Sequence, residues 1–588
     1  MHRFRQLRLR LRERDEGVAL VMVIGVGSVL TLLIVAAVAL SVGSSRNATA
    51  DEQWNAALAA AYAGVEEYQA RLSDEPSYVK YGNPSSTFSN PSGNAVSTVQ
   101  LPITLNPAFG LGATGTWVTV PGSTNASFRY EVDNSTYAAT GTIRVRSTGK
   151  VGERVRSITA DLRQQGFIDF LYFTDYEMSD PAVVGGGCPL TYRWAGRGSN
   201  CTIQFSPTDR IGGPAHSNDT ILTCGPTKFL GEVTTGNPAG GYDNGGCAAA
   251  SFDYGSPQYS PVVSMPATNT ELKKETRTDA AVSEDVPRPG CLYTGPTRIT
   301  FLDNGKMNVR SPWTKFTTVK GDPATAGDAT SDSRCGAPAA LRAPAGAEVN
   351  VPTNNVVYVQ NIPLTGINSA TLAETTSSGN NRRCKDTSGN SLSVNSNSYS
   401  QNVVGYPLAD EVPPQPGVES DDSYGCRNGD LFVSGRLSGG AVTMAAENYV
   451  YVTGDITYRN ADDDMLGLIG QNAVWVHNPI RSNGSFLTAK NRTISAAILS
   501  VQHTFLVQNH TRGSDNRGTL TVMGAIAQKF RGPVGVSNGT GFLTKNYLYD
   551  TRFRYTAPPK FLSPVTTTYG VNVWVETAPP FNIDGTYR

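Results

Sequence analysis

The chain carries no electrostatic imbalance: 49 Lys and Arg stand against 49 Asp and Glu, and charged residues are only 17% of the 588 positions. A nucleic-acid partner calls for a basic excess to meet the phosphates, so none is expected. Histidine is scarce, with five residues, and the eight cysteines include no Cys-x-x-Cys pair and stand 13 to 49 residues apart. That spacing and the shortage of imidazoles argue against a zinc centre. There is no His-Glu-x-x-His and no phosphate-binding loop, so neither a metalloprotease nor a nucleotide site of the usual kind is encoded. What is abundant is glycine, with 60 residues, alongside many Asn, Ser and Thr. This is the composition of a turn-rich β protein, and the length predicts two or three folded units.

Long apolar runs are also missing, except for one. Met1–Gly17 holds six arginines (Arg3, Arg5, Arg8, Arg10, Arg12, Arg14) against Glu13, Asp15 and Glu16, and Val18–Ser44 then runs without a charge. At about 1.5 Å per residue, roughly 25 helical residues span about 37 Å, more than the ~30 Å hydrocarbon core needs. The arginines before the span place the N-terminus in the cytoplasm and the rest of the chain outside, a single-pass arrangement at the cell membrane. The run is too long for the apolar region of a cleaved secretory signal, while a plain signal anchor is the simpler alternative. Past the span, Trp54, Leu58, Tyr62, Val65, Tyr68 and Leu72 recur at three- and four-residue steps. They predict an amphipathic continuation of the same helix.

The junction Arg14-Asp15-Glu16-Gly17-Val18, followed by an apolar helix with an alanine-rich extension to Leu72, resembles the start of a type IV pilin, in particular the PilX-type minor pilins. The resemblance covers about the first 72 residues. It implies cleavage between Gly17 and Val18 by a prepilin peptidase, and partners among other pilin subunits and the pilus assembly machinery. Pilins usually carry glutamate at the fifth mature position, which is Met22 here. In the family that carboxylate is held to pair with a neighbour's N-terminal amine. A buried charge is tolerable only when paired, so Met22 points away from a bulk filament subunit and toward a minor or tip position.

Ser127–Val132, Gly141–Ser147 and Arg154–Leu162 alternate apolar and polar residues, as half-buried antiparallel strands do, with Thr148–Glu153 as the hairpin loop between the last two. Beyond about residue 166 the character changes. Cys188, Cys201, Cys224, Cys247, Cys291, Cys335, Cys384 and Cys426 all lie on the external side, which predicts four disulfides; sequential pairing is a guess, since spacing does not fix connectivity. Between residues 430 and 528, short apolar strands such as Asn448–Tyr458, Ala473–His477 and Gly518–Ile526 follow one another between Gly, Asn and Asp, with no helix pattern among them. They predict a parallel β-helix, a solenoid, with a β-sandwich as the alternative. The segments Phe170–Glu177, Gly213–Asp219 and Gly524–Pro533 also resemble large actinobacterial surface proteins that join a pilin-like start to a β-helical body. The fold expected is mainly β with a long N-terminal helix. Residues 1–17 form a basic leader, 18–72 the long helix (18–44 transmembrane), 73–165 a pilin-like antiparallel sheet, 166–535 the disulfide-bearing body and 536–588 an extended C-terminal segment. Residues 271–290, 321–344 and 377–398 are expected as polar loops.

Chemistry-bearing residues are sparse. Asp175, Glu177 and Asp180 are the densest acidic group and offer calcium-type oxygens, but without a metal-loop spacing they are expected as solvated strand-end acids. Asp462–Asp464 reads as a turn and His216 as a structural hydrogen-bonder. His503 and His510 flank a strand with no carboxylate close in sequence. No cofactor, metal or catalytic residue is expected, and the chain is not expected to be an enzyme. Two functions are compatible with this reading. One is a structural or adhesive component of a type IV pilus-like machine. The other is a membrane-anchored, carbohydrate-binding or carbohydrate-active β-helix with surface glycans as partners, which requires charged side chains clustered in one groove.

Overall fold

The structure is a computed structural model of the 588-residue chain. It describes all residues except 1, 75, 92–97, 103–104, 112–116, 138–141, 165, 185–186, 200, 280–286, 288, 322–327, 371–383, 393–399, 413–422, 537–538, 555 and 565–568, and for 2–18, 73–74, 76–77, 163–164, 184, 328–329, 569–570 and 572–573 the backbone alone. The chain divides into two compact units: Met1–Tyr137, Gly141–Arg163 and Tyr569–Arg588 form one, and Ala138–Thr140 with Gln164–Thr568 form the other.

The first unit is built on one helix, α1, His2–Asp74. It runs through the expected leader without a break, since no proline precedes Pro76 and nothing local stops the backbone hydrogen bonding. Its first half is bare: Leu20, Met22 and Leu40 are 62%, 66% and 75% exposed, and the stretch is long and apolar enough to cross a membrane. Its second half is buried through Ala57, Ala61, Val65, Tyr68 and Leu72. The expected stripe therefore holds at Leu58, Val65, Tyr68 and Leu72, but Trp54 and Tyr62 are exposed at the rim, against Arg156 and Trp574, and alanines fill the rest of the inner face. The cause is close approach. A Cβ on Gly149 would lie 2.1 Å from the Ala57 carbonyl oxygen and 2.3 Å from the Ala61 nitrogen, so only small side chains fit where the helix crosses the sheet.

That sheet has five strands in the order β1 (Val118–Thr119), β2 (Ala126–Asp133), β3 (Thr142–Val151), β4 (Arg154–Gln164) and finally Tyr569–Thr577. β1 to β4 pair antiparallel. Val151 pairs directly with Arg154, so the turn is only Gly152-Glu153, with Gly152 at φ +56°, rather than the six-residue loop expected at 148–153. Phe128, Tyr130, Val132, Ile143, Val145, Ile158, Ala160 and Leu162 give the sheet its buried face. The 536–588 segment, expected to be extended, contributes this fifth strand. Arg156 holds it through a two-pronged pair to Glu576, both contacts at 2.7 Å. Sequence pattern identifies a strand but not its partner, and these two residues are 420 positions apart.

The second unit is a large mixed sheet, mostly parallel. One ladder runs, in spatial order, through Cys291–Thr294, Asn355–Gln360, Ala441–Ala446 and Met465–Gly470 to a strand at Arg492–Thr504. It continues through Thr519–Phe530, Tyr172–Tyr176, Ala215–Ser217, Val233–Thr235 and Gln258–Tyr259. We label Tyr172–Tyr176 β5, Arg492–Thr504 β6 and Thr519–Phe530 β7. The chain thus enters at β5, steps outward to Tyr259, reappears at the far end at Cys291, and steps back until β7 lies beside β5. A second parallel ladder joins Thr297–Leu302, Leu431–Leu437, Tyr449–Tyr458, Ala473–Val476 and Leu506–Val507. A third joins β7, Thr544–Tyr549, Asp209–Gly212, Lys228–Phe229 and Ser251–Phe252. Antiparallel pairing enters where Lys306–Arg310 sits between Thr297–Leu302 and Ala347–Asn350. Strands such as Asn355–Gln360 are buried at every position, as the near-continuous apolar runs of parallel sheets require. The polar segments at 271–290 and 321–344 are not wholly loop, since they hold most of the 3-10 helix Thr270–Thr276 and the short helix Pro338–Arg342; much of 377–398 lies outside the described residues.

Candidate functional site

Gly17 and Val18 both lie within α1, and their side chains are outside the description. Met22 stands on the bare half of the helix among apolar neighbours. The eight cysteines are joined as Cys188–Cys201, Cys224–Cys247, Cys291–Cys335 and Cys384–Cys426, with Cα separations of 6.1, 5.0, 5.5 and 5.2 Å. All four bridges lie in the second unit and link residues 13 to 44 positions apart; Cys224–Cys247 and Cys291–Cys335 each span strands of the ladders.

The acidic group at the end of β5 does not converge on one point. Asp175 Oδ1 accepts from the Tyr192 hydroxyl and the Asn218 amide, both at 2.8 Å, and burial holds its pKa above the ordinary carboxylate value. Glu177 points the other way, into the core. It accepts from Arg531 Nη1 at 3.0 Å and from the Thr174 hydroxyl, and burial raises its pKa against the pull of Arg531. Next to it Asp209 pairs with Lys545 at 2.6 Å, and Arg531 Nη2 lies 3.9 Å from Asp209. Burial lowers the lysine's pKa. Two acids from the part of the chain that enters at β5 thus meet two bases from the part that ends at β7 and Thr544–Tyr549. Glu177 and Asp180 are buried and Asp175 half-buried, which corrects the expectation of solvated strand-end acids. Among the described residues, no three His, Cys, Asp or Glu side chains are placed to share a metal ion.

Asp180 turns to His503. Its Oδ1 accepts from the Ala182 nitrogen at 2.9 Å, and its Oδ2 lies 2.9 Å from His503 Nδ1. A carboxylate only accepts, so Nδ1 carries the proton, and Nε2 has no hydrogen-bond partner among the described residues. His503 therefore has a carboxylate partner, 323 positions away, which no local sequence signal could supply. His216 is buried, with Nδ1 2.8 Å from the Thr234 hydroxyl and Nε2 3.1 Å from Asn218 Oδ1. Burial pushes its pKa down to about 4. His510 is buried too, Nδ1 3.2 Å from the Val507 carbonyl, and is also lowered to about 4. In Asp462–Asp464 the first two are exposed, whereas Asp464 accepts from the backbone nitrogens of Gly439, Gly440 and Asn460 at 3.0, 2.9 and 2.7 Å. It clamps a turn. Gly535-Val-Ser-Asn-Gly539 spells Gly-x-Ser-x-Gly, the pattern of a nucleophile elbow. Gly535 bridges antiparallel to Gly541, so the two flanks pair with each other instead of leading from a strand into a helix, the setting that exposes a nucleophile; Ser537 itself lies outside the described residues.

No family model and no curated protein matches the chain. Among solved structures it is similar to the competence-associated pilin ComZ from Thermus thermophilus, with 10% identity, a TM-score of 0.25, and coverage of 89% of this chain and 97% of that one. That likeness is too slight to assign a role.

Proposed function

We propose that this chain is a structural component of a type IV pilus-like machine, a minor or tip pilin anchored by its N-terminal helix, displaying the second unit outside the cell for assembly or adhesion. One observation carries the reading. A single helix, α1, is bare and apolar along its first half and buried on an antiparallel sheet along its second. A helix of that kind needs two environments, lipid or neighbouring apolar helices below and its own sheet above. The four disulfides support display in an oxidising compartment. The stepwise parallel ladders support reading the displayed unit as a parallel β-helix, a stiff body in which each strand contacts mainly its neighbours. Met22 supports a minor or tip position, where no carboxylate is required of the subunit. Prepilin peptidase, other pilins and the assembly machinery are the partners this role entails, and the role is structural rather than catalytic.

Mass analysis of protein extracted from membranes tests it. The expected N-terminus is Val18; an intact Met1 or a cut beyond Ser44 overturns the proposal. Immunogold labelling then separates the positions. Sparse label at filament tips or at the envelope is expected, and dense label along a shaft would show that Met22 is no barrier to polymerisation.

A further inference from the structure

Between Tyr259, at one end of the long ladder, and Cys291, at the other, the chain must travel back across the outer face of the strands. It is clamped at two places. Asn218 grips the backbone of Val263 on both sides, donating to its carbonyl and accepting from its N–H, each at 2.7 Å. Farther on, Gln471 donates to the Ala267 carbonyl at 3.2 Å and accepts from the Asn269 N–H at 2.7 Å. Between the clamps, Ser264, Met265 and Pro266 border an open cleft of 870 Å³ whose other wall comes from β5, β6 and β7. Its volume falls in the range of built ligand sites, toward the upper end.

The side chains at this cleft are unlike the rest of the second unit. Glu177, Asp209, Arg531 and Lys545 satisfy one another. Here the groups are half used. Asp175 spends Oδ1 on Tyr192 and Asn218, its other oxygen has no hydrogen-bond donor among the described residues, and the charge of Lys529 acts on it. Lys529, beside it on β7, has no hydrogen-bond acceptor among the described residues, and Gln502 is exposed with its amide unengaged. His503 has its Nδ1 fixed on Asp180 and its Nε2 open. Asp175 and Asp180 stand in the same lining as Lys529 and His503, so neither an anion nor a cation meets a wall of one sign. It offers donors and acceptors side by side, beside apolar surface from Met265, Pro266 and the exposed Leu190 (58%) and Val262 (39%).

We propose that this cleft binds a short segment of uncharged oligosaccharide. A hydroxyl both donates and accepts, so a run of sugar hydroxyls can satisfy Asp175, Lys529, Gln502 and His503 together, whereas a carboxylate or an ammonium ligand would oppose half of them. The C–H faces of the rings take the apolar strap. The carboxylate of Asp180 serves as the positioning group, holding the His503 ring so that Nε2 faces the ligand. This site is independent of leader cleavage or entry into a filament: an intact N-terminus would overturn the pilus reading and leave the cleft untouched.

The test uses the full chain in a detergent without a sugar headgroup, titrated by calorimetry and saturation-transfer NMR with cellotetraose, maltotetraose, tetra-N-acetylchitotetraose and, as the charged control, tetragalacturonate. At least one neutral tetrasaccharide is expected to bind with a Kd of about 0.1–1 mM. Lys529→Ala and Gln502→Ala are each expected to weaken it about tenfold, with the circular dichroism spectrum unchanged. Lys490→Ala, at an exposed pair with Asp515, is expected to leave binding as it was. No binding of any neutral probe at about 10 mM, tighter binding of tetragalacturonate than of all three, or equal binding by wild type and both cleft variants overturns the proposal.

Discussion

The buried charges between β5 and β7 make a quantitative prediction. Arg531 and Glu177 side chains are 7% and 0% exposed, and Lys545 and Asp209 are 11% and 1%, so solvent screening is slight. Replacing Arg531 with Met leaves Glu177 in the core without its cation, and removing one partner of a buried pair costs about 3–5 kcal/mol. The cost falls where β7 pairs with β5, through Ile526↔Tyr172, Ala527↔Phe173 and Gln528↔Thr174. Hydrogen exchange with mass spectrometry reads that ladder directly. In R531M, amides of 172–176 and 526–530 are expected to exchange about 10²–10⁴-fold faster at neutral pH, at about 1.4 kcal/mol per decade. The sign of the pH dependence follows from the raised pKa of Glu177. The penalty is full while the carboxylate is ionised and fades as pH falls through its folded pKa, so the acceleration, corrected for intrinsic exchange, should shrink on acidification. Adding Glu177→Leu removes the stranded charge, and the double variant should return to within about 1–2 kcal/mol of the parent. Equal acceleration in the single and double variants would falsify the argument, because the two side chains would then not be coupled.

Two further outcomes are expected. His216 and His510 are both lowered to about 4 by burial; the unfolded chain therefore binds protons that the folded one does not, and stability is full above about pH 6.5 and lost on acidification toward 4, at roughly 1.4 kcal/mol per pH unit for each histidine. Denaturant titrations from pH 7 to 4.5 should show about half of the histidine-dependent slope gone in His216→Gln; comparing against wild type cancels the opposing effect of Asp175 and Glu177, and an unchanged slope would refute the assignment. In the first unit, Gly149→Ala drives a Cβ into the backbone of α1 at Ala57 and Ala61 and should cost about 1–3 kcal/mol, read as a lowered thermal midpoint, whereas Gly198→Ala, with nothing within 4 Å, should be silent.

The sequence carried the local structure well. Apolar period and charge placement marked the helix, alternation marked β2, β3 and β4, and runs such as Ala473–His477 marked buried strands, because each of these signals lies within a few residues. It could not say which strand meets which. That β7 docks on β5, that Tyr569–Thr577 pairs beside β4, and that His503 finds Asp180 all depend on contacts across hundreds of positions. The inner stripe of α1 failed at two positions for a different reason. Trp54 and Tyr62 are the larger apolar residues, but the distance between helix and sheet is set by Gly149, and that distance admits alanine only. The cleft was illegible because its walls come from four separate stretches, and the unspent hydrogen-bonding groups on them have meaning only once they stand together.

The second unit is spliced into the first between β4 and Tyr569–Thr577, and this dictates an order of events during synthesis. The open edge of β4 waits while Gln164–Thr568 is made, roughly 20–80 s at about 5–20 residues per second. Through that interval it is an unguarded strand, able to recruit a wrong partner. A ribosome that stops early, or a protease that clips the large insert before it is packed, leaves a subunit whose sheet never receives its fifth strand. The small unit thus acts as a receipt for the large one: a finished sheet on α1 certifies that everything between has been translated.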